Sequence, residues 1–147
     1  MKKPIPFLFL LIALLTLSCD KCNEGNTATP TSLFVEIIDA TTSENVFENE
    51  TFTASQILIE DLDGELIPFS FIPNQNLIQV FPNVENPIGN TIVITLNNET
   101  TATIEEITIT HDVSEMKEEC YTTFKIENVE VPNNSSELLN GIYVIKI

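Results

Sequence analysis

Arginine and tryptophan are missing from this chain, and histidine occurs once. Six lysines stand against twenty-two aspartates and glutamates in 147 residues, a formal charge of −16. The shortage of cations excludes nucleic acid as a partner, because that binding rests on Lys and Arg neutralising phosphates. It equally excludes direct adhesion to anionic lipid headgroups. The acidic excess favours solubility, repulsion between copies, and attraction to cations or basic partners. Without tryptophan there is no broad ring on which a sugar could stack. No apolar run is long enough to cross a bilayer comfortably: Ile5 to Leu17 gives about 13 residues, where a spanning helix needs roughly 17–25. No internal repeat and no long low-complexity tract occurs.

What that short apolar run offers instead is a leader. Lys2 and Lys3 precede it, Phe7 to Leu15 forms its middle, and Ser18 is a small residue just before Cys19. A positive start, an apolar centre and a small residue at the cut define a secretory signal. Leu15-Thr16-Leu17-Ser18-Cys19 resembles the lipobox of bacterial lipoproteins, with Thr16 where that family usually has Leu and a bulkier Leu17 in the next slot. The resemblance implies that residues 1–18 are removed and that Cys19 becomes a diacylglycerol-bearing N-terminus. A plain secretory signal and an uncleaved anchor are the alternatives. Two or more acyl chains hold a protein stably, whereas one holds it only reversibly. Lys2 and Lys3 leave with the leader, so four basic residues face twenty-two acidic ones in the remainder, a balance of −18.

Residues 19–32 are polar, carry Gly25 and Pro30, and lack any apolar period, which predicts a flexible tether. Asp20, Lys21 and Glu24 in it partly resemble the charged export signal of Bacteroidota lipoproteins, whereas in other Gram-negative groups an Asp directly after the cysteine suggests retention in the inner membrane. With Cys19 lipidated, Cys22 and Cys120 remain. An exported location permits one disulfide between them; two free thiols, or Cys120 as a small buried side chain, are the alternatives.

From Leu33 onward the sequence alternates with period two and is rich in β-branched residues, the strand signal. Leu33, Val35 and Ile37 share one face; so do Ile57 and Ile59, then Ile67, Phe69 and Phe71. Leu77 to Phe81 is a short apolar run. Ile92, Ile94 and Leu96 share a face, as do Ile107 and Ile109, Phe124 and Ile126, and Tyr143, Ile145 and Ile147. Asp63-Gly64, Pro73-Asn74, Asn86 to Asn90, Asn97-Asn98, Asn133-Asn134 and Asn140-Gly141 supply the turns. The expectation for residues 33–147 is a single all-β domain, an antiparallel β-sandwich of about eight strands, immunoglobulin-like or similar. Glu44 to Asn49 and Ser135 to Leu139 have room for one helical turn each. The alternation slips across Glu105-Glu106 and again across Glu127-Asn128, which predicts a bulge or strand break at each place.

Candidate sites are few. Asp61, Asp63 and Glu65 place acidic side chains at alternate positions, a pattern that can direct oxygens at calcium. The twelfth position counted from Asp61 is Ile72 rather than Glu, so a tight Asp-Gly hairpin turn joining Ile57–Glu60 to Leu66–Phe71 is the better reading. His111 beside Asp112 offers half of a nucleophilic triad. Neighbours on a strand point to opposite faces, and neither Ser70 nor Ser114 lies in a nucleophile elbow, so His111 reads as a loop histidine at a strand end. Glu105-Glu106 and Glu118-Glu119 could pair for glycoside chemistry; adjacent positions again diverge, and solvated strand edges fit them better. Asn98-Glu99-Thr100 and Asn133-Asn134-Ser135 match the glycosylation pattern, which has little meaning in a bacterial lipoprotein.

No catalytic residue, metal set or cofactor motif emerges. The β-rich body, with Asp63-Gly64 in its first hairpin and a closing strand from Gly141 to Ile147, is similar to small uncharacterised lipoproteins of the Bacteroidota. That resemblance implies membrane attachment through the lipid and placement in the cell envelope at the outer membrane. Such families have no agreed activity, so it carries over none. The missing motifs make a non-catalytic binding or structural role with a protein or glycan of the envelope the first hypothesis. A cation-dependent surface adhesin using Asp61, Asp63 and Glu65, and a hydrolytic enzyme, are the alternatives from other classes.

Overall fold

A computed structural model describes residues 31–117 and 121–147. Cys19, Cys22 and Cys120, and with them the expected lipid attachment and the question of a disulfide, lie outside the described residues, as does Glu118-Glu119.

Nine strands form two sheets. In chain order they are β1 (Leu33–Ile38), β2 (Ile57–Glu60), β3 (Phe69–Ile72), β4 (Leu77–Val80), β5 (Asn90–Asn98), β6 (Thr103–Lys117), β7 (Thr122–Glu130), β8 (Ser135–Leu139) and β9 (Ile142–Lys146). One sheet runs β3-β4-β1-β9-β8 and the other β2-β5-β6-β7. A 3₁₀ turn at Ala54–Gln56 is the one helical element among the described residues.

Alternation explains the core. Ile59 on β2, Ile94 on β5 and Ile107 on β6 lie side by side across three strands, and each is buried. Phe71, Ile78, Val35 and Tyr143 form a matching row across the other sheet, and all four belong to the same apolar cluster or pack against it. Burying both rows between the sheets removes apolar surface from water at roughly 25 cal/mol per Å². The long β1–β2 connection closes one end with Val46 and Phe52, both in the core. Asn45 staples that connection down: its Nδ2 donates to the Asn76 carbonyl at 3.1 Å, and its Oδ1 accepts the Phe47 N–H at 2.9 Å.

Several expectations are corrected. The strands number nine, and the extra one is β8: Ser135 to Leu139 extends rather than coiling into a turn. All five of its residues are exposed, so no apolar period marked it. The sheets are not purely antiparallel, since β1 pairs with β9 in parallel. Parallel and antiparallel half-buried strands both alternate with period two, so the pattern carries no direction.

The Asp63-Gly64 hairpin forms only at its tip. Glu60 bridges Leu66, and the Ile67 N–H reaches the Ile59 carbonyl at 2.9 Å. Pro68 then follows with no N–H to donate, and β3 joins the opposite sheet. The expected bulge at Glu127-Asn128 is present: the β6–β7 register shifts between Thr110 and Asp112, and Asn128 adopts φ 51°. At Glu105-Glu106 the ladder runs unbroken, with Ile104 facing solvent. These two glutamates lie on the stretch of β6 that pairs with β5 alone, because the β6–β7 ladder begins at Thr110, so they stand on a locally open strand edge as expected. The 44–49 turn forms, closed by the Glu48 and Asn49 N–H groups on the Asn45 carbonyl.

Asn140-Gly141 links β8 to β9 as a two-residue loop between the paired Leu139 and Ile142. Both residues have positive φ, 51° and 85°, the requirement of a type I′ turn. Nothing lies within 4 Å of the position a Gly141 Cβ would take, so backbone strain alone opposes a side chain there. Gly141→Val is therefore expected to cost about 1–2 kcal/mol, read as a lower midpoint in urea with an unchanged slope.

Candidate functional site

The Asp61–Glu65 turn and the 83–90 loop meet at one end of the two-sheet body, over the half of β6 that carries His111. Asp61 organises the turn. Its Oδ1 accepts the N–H groups of Asp63 and Glu65, each at 2.9 Å, and its own N–H donates to the Glu65 carbonyl at 3.0 Å. Gly64 takes φ 79° and donates to the Asp61 carbonyl at 3.2 Å. One oxygen of Asp61 is thus committed to shaping the loop, as a short acidic side chain commonly is in a turn.

The 83–90 loop is tied to β6 twice. The Val113 N–H donates to the Pro87 carbonyl at 3.0 Å, and the Gly89 N–H donates to Asp112 Oδ1 at 3.0 Å. The other Asp112 oxygen accepts from Asn128 Nδ2 at 2.8 Å, across the β7 bulge. These bonds, Asn128's foremost, stabilise the ionised form and hold the Asp112 carboxyl below its ordinary value.

Between turn and loop lies a pocket of about 170 Å³. Asp61 and Asp63 line it from the turn, Asn83 and Asn86 from the loop, and His111 from β6. Glu65 does not, so the three alternate carboxylates do not converge. Among the described residues no set of three His, Cys, Asp or Glu side chains is placed to hold a metal ion.

His111 departs most from expectation. It sits inside β6 rather than in a loop at a strand end, and it is only 3% exposed. Neither ring nitrogen has a hydrogen-bond partner. Burial disfavours the charged imidazolium and lowers the group's pKa, while the neighbouring Asp112 charge opposes the shift in part. Asp112 binds Gly89 and Asn128 rather than the imidazole, so the pair forms no base-and-orienter dyad, and no serine hydrogen-bonds the ring. The signal was present in the sequence: Ile107, Ile109, His111 and Val113 keep one period-two phase, and all four are buried.

Asn98, within one glycosylation-like triplet, is buried. Its Nδ2 donates to the Thr51 carbonyl at 2.8 Å and its Oδ1 accepts the Thr100 N–H at 3.1 Å, a structural use. A wider hollow of about 570 Å³ over β2 and β5 has Glu99 as its one charged residue and no unpartnered buried group. The pocket above His111 is thus the better-built of the two. No family model, curated protein or solved structure matches this chain.

Proposed function

We propose that this protein is a lipid-anchored module of the bacterial cell envelope, held at the outer membrane by acyl chains on Cys19. Its role on this reading is non-catalytic, binding an envelope partner or serving a structural one through its end loops. The observation that carries the reading is the arrangement of Lys2-Lys3, the apolar Phe7 to Leu15, and Ser18 before Cys19. The two-sheet body supports it as a rigid platform presenting loops at its ends. The acidic balance supports a soluble domain that repels its own copies and attracts cationic surfaces.

We further read the body as an immunoglobulin-like sandwich in the broad sense of two packed sheets. Its first strand lies in the middle of the five-stranded sheet, unlike the seven-strand immunoglobulin order. A Cys22–Cys120 bridge would fasten the tether to the β6–β7 end of the domain.

Fractionation tests the anchor. The wild-type chain is expected to remain with membranes through a high-salt wash, because acyl burial at about 0.8 kcal/mol per methylene does not depend on charge. The Cys19→Ala chain is expected in the soluble fraction, or to accumulate unprocessed with residues 1–18 attached. A processed Cys19→Ala chain that stays with membranes after the wash contradicts the reading.

A further inference from the structure

Asp61 and Asp63 line a pocket that no lysine lines. Among the described residues the ion pairs are Lys117 with Glu115 and Lys125 with Glu127, both elsewhere on the surface. Beneath the two acids lies an imidazole that is almost wholly buried and makes no hydrogen bond. Buried polar groups are nearly always paired, so an orphan of this kind calls for an explanation.

We propose that this pocket, between the Asp61–Glu65 turn and the 83–90 loop, seats one organic cation, the guanidinium or ammonium of a basic side chain on a partner. The Asp61 and Asp63 carboxylates hold the cation over the ring of His111. A cavity of about 170 Å³ has room for the terminus of a side chain. Leu62 at the mouth and the buried Ile67 flank the pocket with apolar surface, against which the methylenes of a Lys or Arg stem can lie. Asn83 and Asn86 add amide groups to the wall. A charge of −16 draws basic partners toward the domain before contact.

A proton on His111 and a cation in the pocket repel each other, so each weakens the other's binding by the same factor. Burial already favours the uncharged ring. Asp61 and Asp63 face the pocket from the turn. Asn83, Asn86, Asn90 and Thr91 line it from the loop and β5 without charge. Asp112 next to His111 is engaged with Gly89 and Asn128. On β7, Glu127 is paired with Lys125 and Glu130 is exposed. Glu65 on the turn and Glu85 on the loop are exposed, and neither lines the pocket. The inference rests on the binding-module reading, but not on the anchor, which the fractionation above tests separately.

Because His111 is the one histidine in the chain, its ring resonances report on the pocket without assignment ambiguity. The full chain in detergent is titrated with acetyl-Gly-Arg-Gly-amide and, separately, with its citrulline counterpart, which keeps the shape and loses the charge. The arginine peptide is expected to shift the His111 ring signals saturably at millimolar concentration and to lower the pH at which the ring titrates. Citrulline is expected to bind at least about tenfold more weakly, a difference of about 1.4 kcal/mol. Asp63→Asn is expected to lose affinity by a similar factor while leaving the rest of the spectrum unchanged, because the Asp63 side chain makes no bond within the turn. Equal binding of the two peptides, an unaltered affinity in Asp63→Asn, or no saturable shift would each overturn the proposal.

Discussion

Replacing Ile94 by Ala is expected to cost about 2–5 kcal/mol, the range for removing a large aliphatic side chain from a close-packed core. Ile94 is the middle member of the Ile59–Ile94–Ile107 row, on a strand flanked by neighbours on both sides. It has no exposed surface, and both row partners come from the regular ladder, so neither can swing in to fill the void. Domains of this size have a total stability of about 5–15 kcal/mol, so the loss is a large fraction of the whole. It is expected to lower the melting temperature by about 10 °C or more. Thermal unfolding of wild type and variant, followed by far-ultraviolet circular dichroism, checks this. Leu138→Ala on the exposed β8 serves as the control, with a change expected within about 0.5 kcal/mol.

The second large effect concerns acid. In the unfolded chain His111 takes a proton near its ordinary value of 6.5, whereas burial lowers the pH at which the folded chain does so. Below 6.5 the unfolded state therefore binds more protons than the native state, and stability falls as the pH drops until the lowered native value is passed. Asp39 and Asp112 are also held below their ordinary value of 3.8, by N–H donors from Thr42 and Thr41 and by Asn128 and Gly89 respectively. Their stabilising contribution is present above 3.8 and lost below it. The first loss begins at pH 6.5 and the second at pH 3.8.

His111→Leu is expected to remove the loss that begins below pH 6.5 and to leave the one below 3.8 in place. At neutral pH it is expected to raise stability by about 1–3 kcal/mol, since a buried polar group without a partner is replaced by an apolar one of similar size. Urea midpoints measured across the acid range for both chains make the comparison. A variant whose stability declines between pH 6.5 and 5 as steeply as wild type would show that His111 does not control that window.

The sequence made some of this architecture easy to read and concealed the rest. Ile92, Ile94 and Leu96 against Ile107 and Ile109 is an alternation whose register a one-residue slip would destroy, and those strands lie where the pattern puts them. The bulge at Asn128 was legible because Ile126 and Val129 change phase across it. The same argument failed at Glu105-Glu106. There Ile104 simply faces water near the end of the strand, and an exposed isoleucine on a β surface needs no correction. Ser135 to Leu139 escaped notice because an edge strand exposed on both faces needs no apolar period. The parallel β1–β9 pairing was hidden because it joins segments from opposite ends of the chain with no turn between them.

Of the candidate site, Asp61 and Asp63 were visible as a turn. Their meeting with His111 depends on tertiary placement: Pro68 sends the chain to the other sheet, and Pro87 and Gly89 pin a second loop onto β6. His111 itself was legible one step further along a strand whose phase Ile107 and Ile109 had already set.

The mass of the N-terminal peptide of the membrane-extracted native chain bears most directly on the anchor. The expected result is a peptide that begins at Cys19 and carries the added mass of a diacylglycerol on its sulfur. A peptide still containing residues 1–18, or one that begins at Cys19 with no acyl group, would contradict the account.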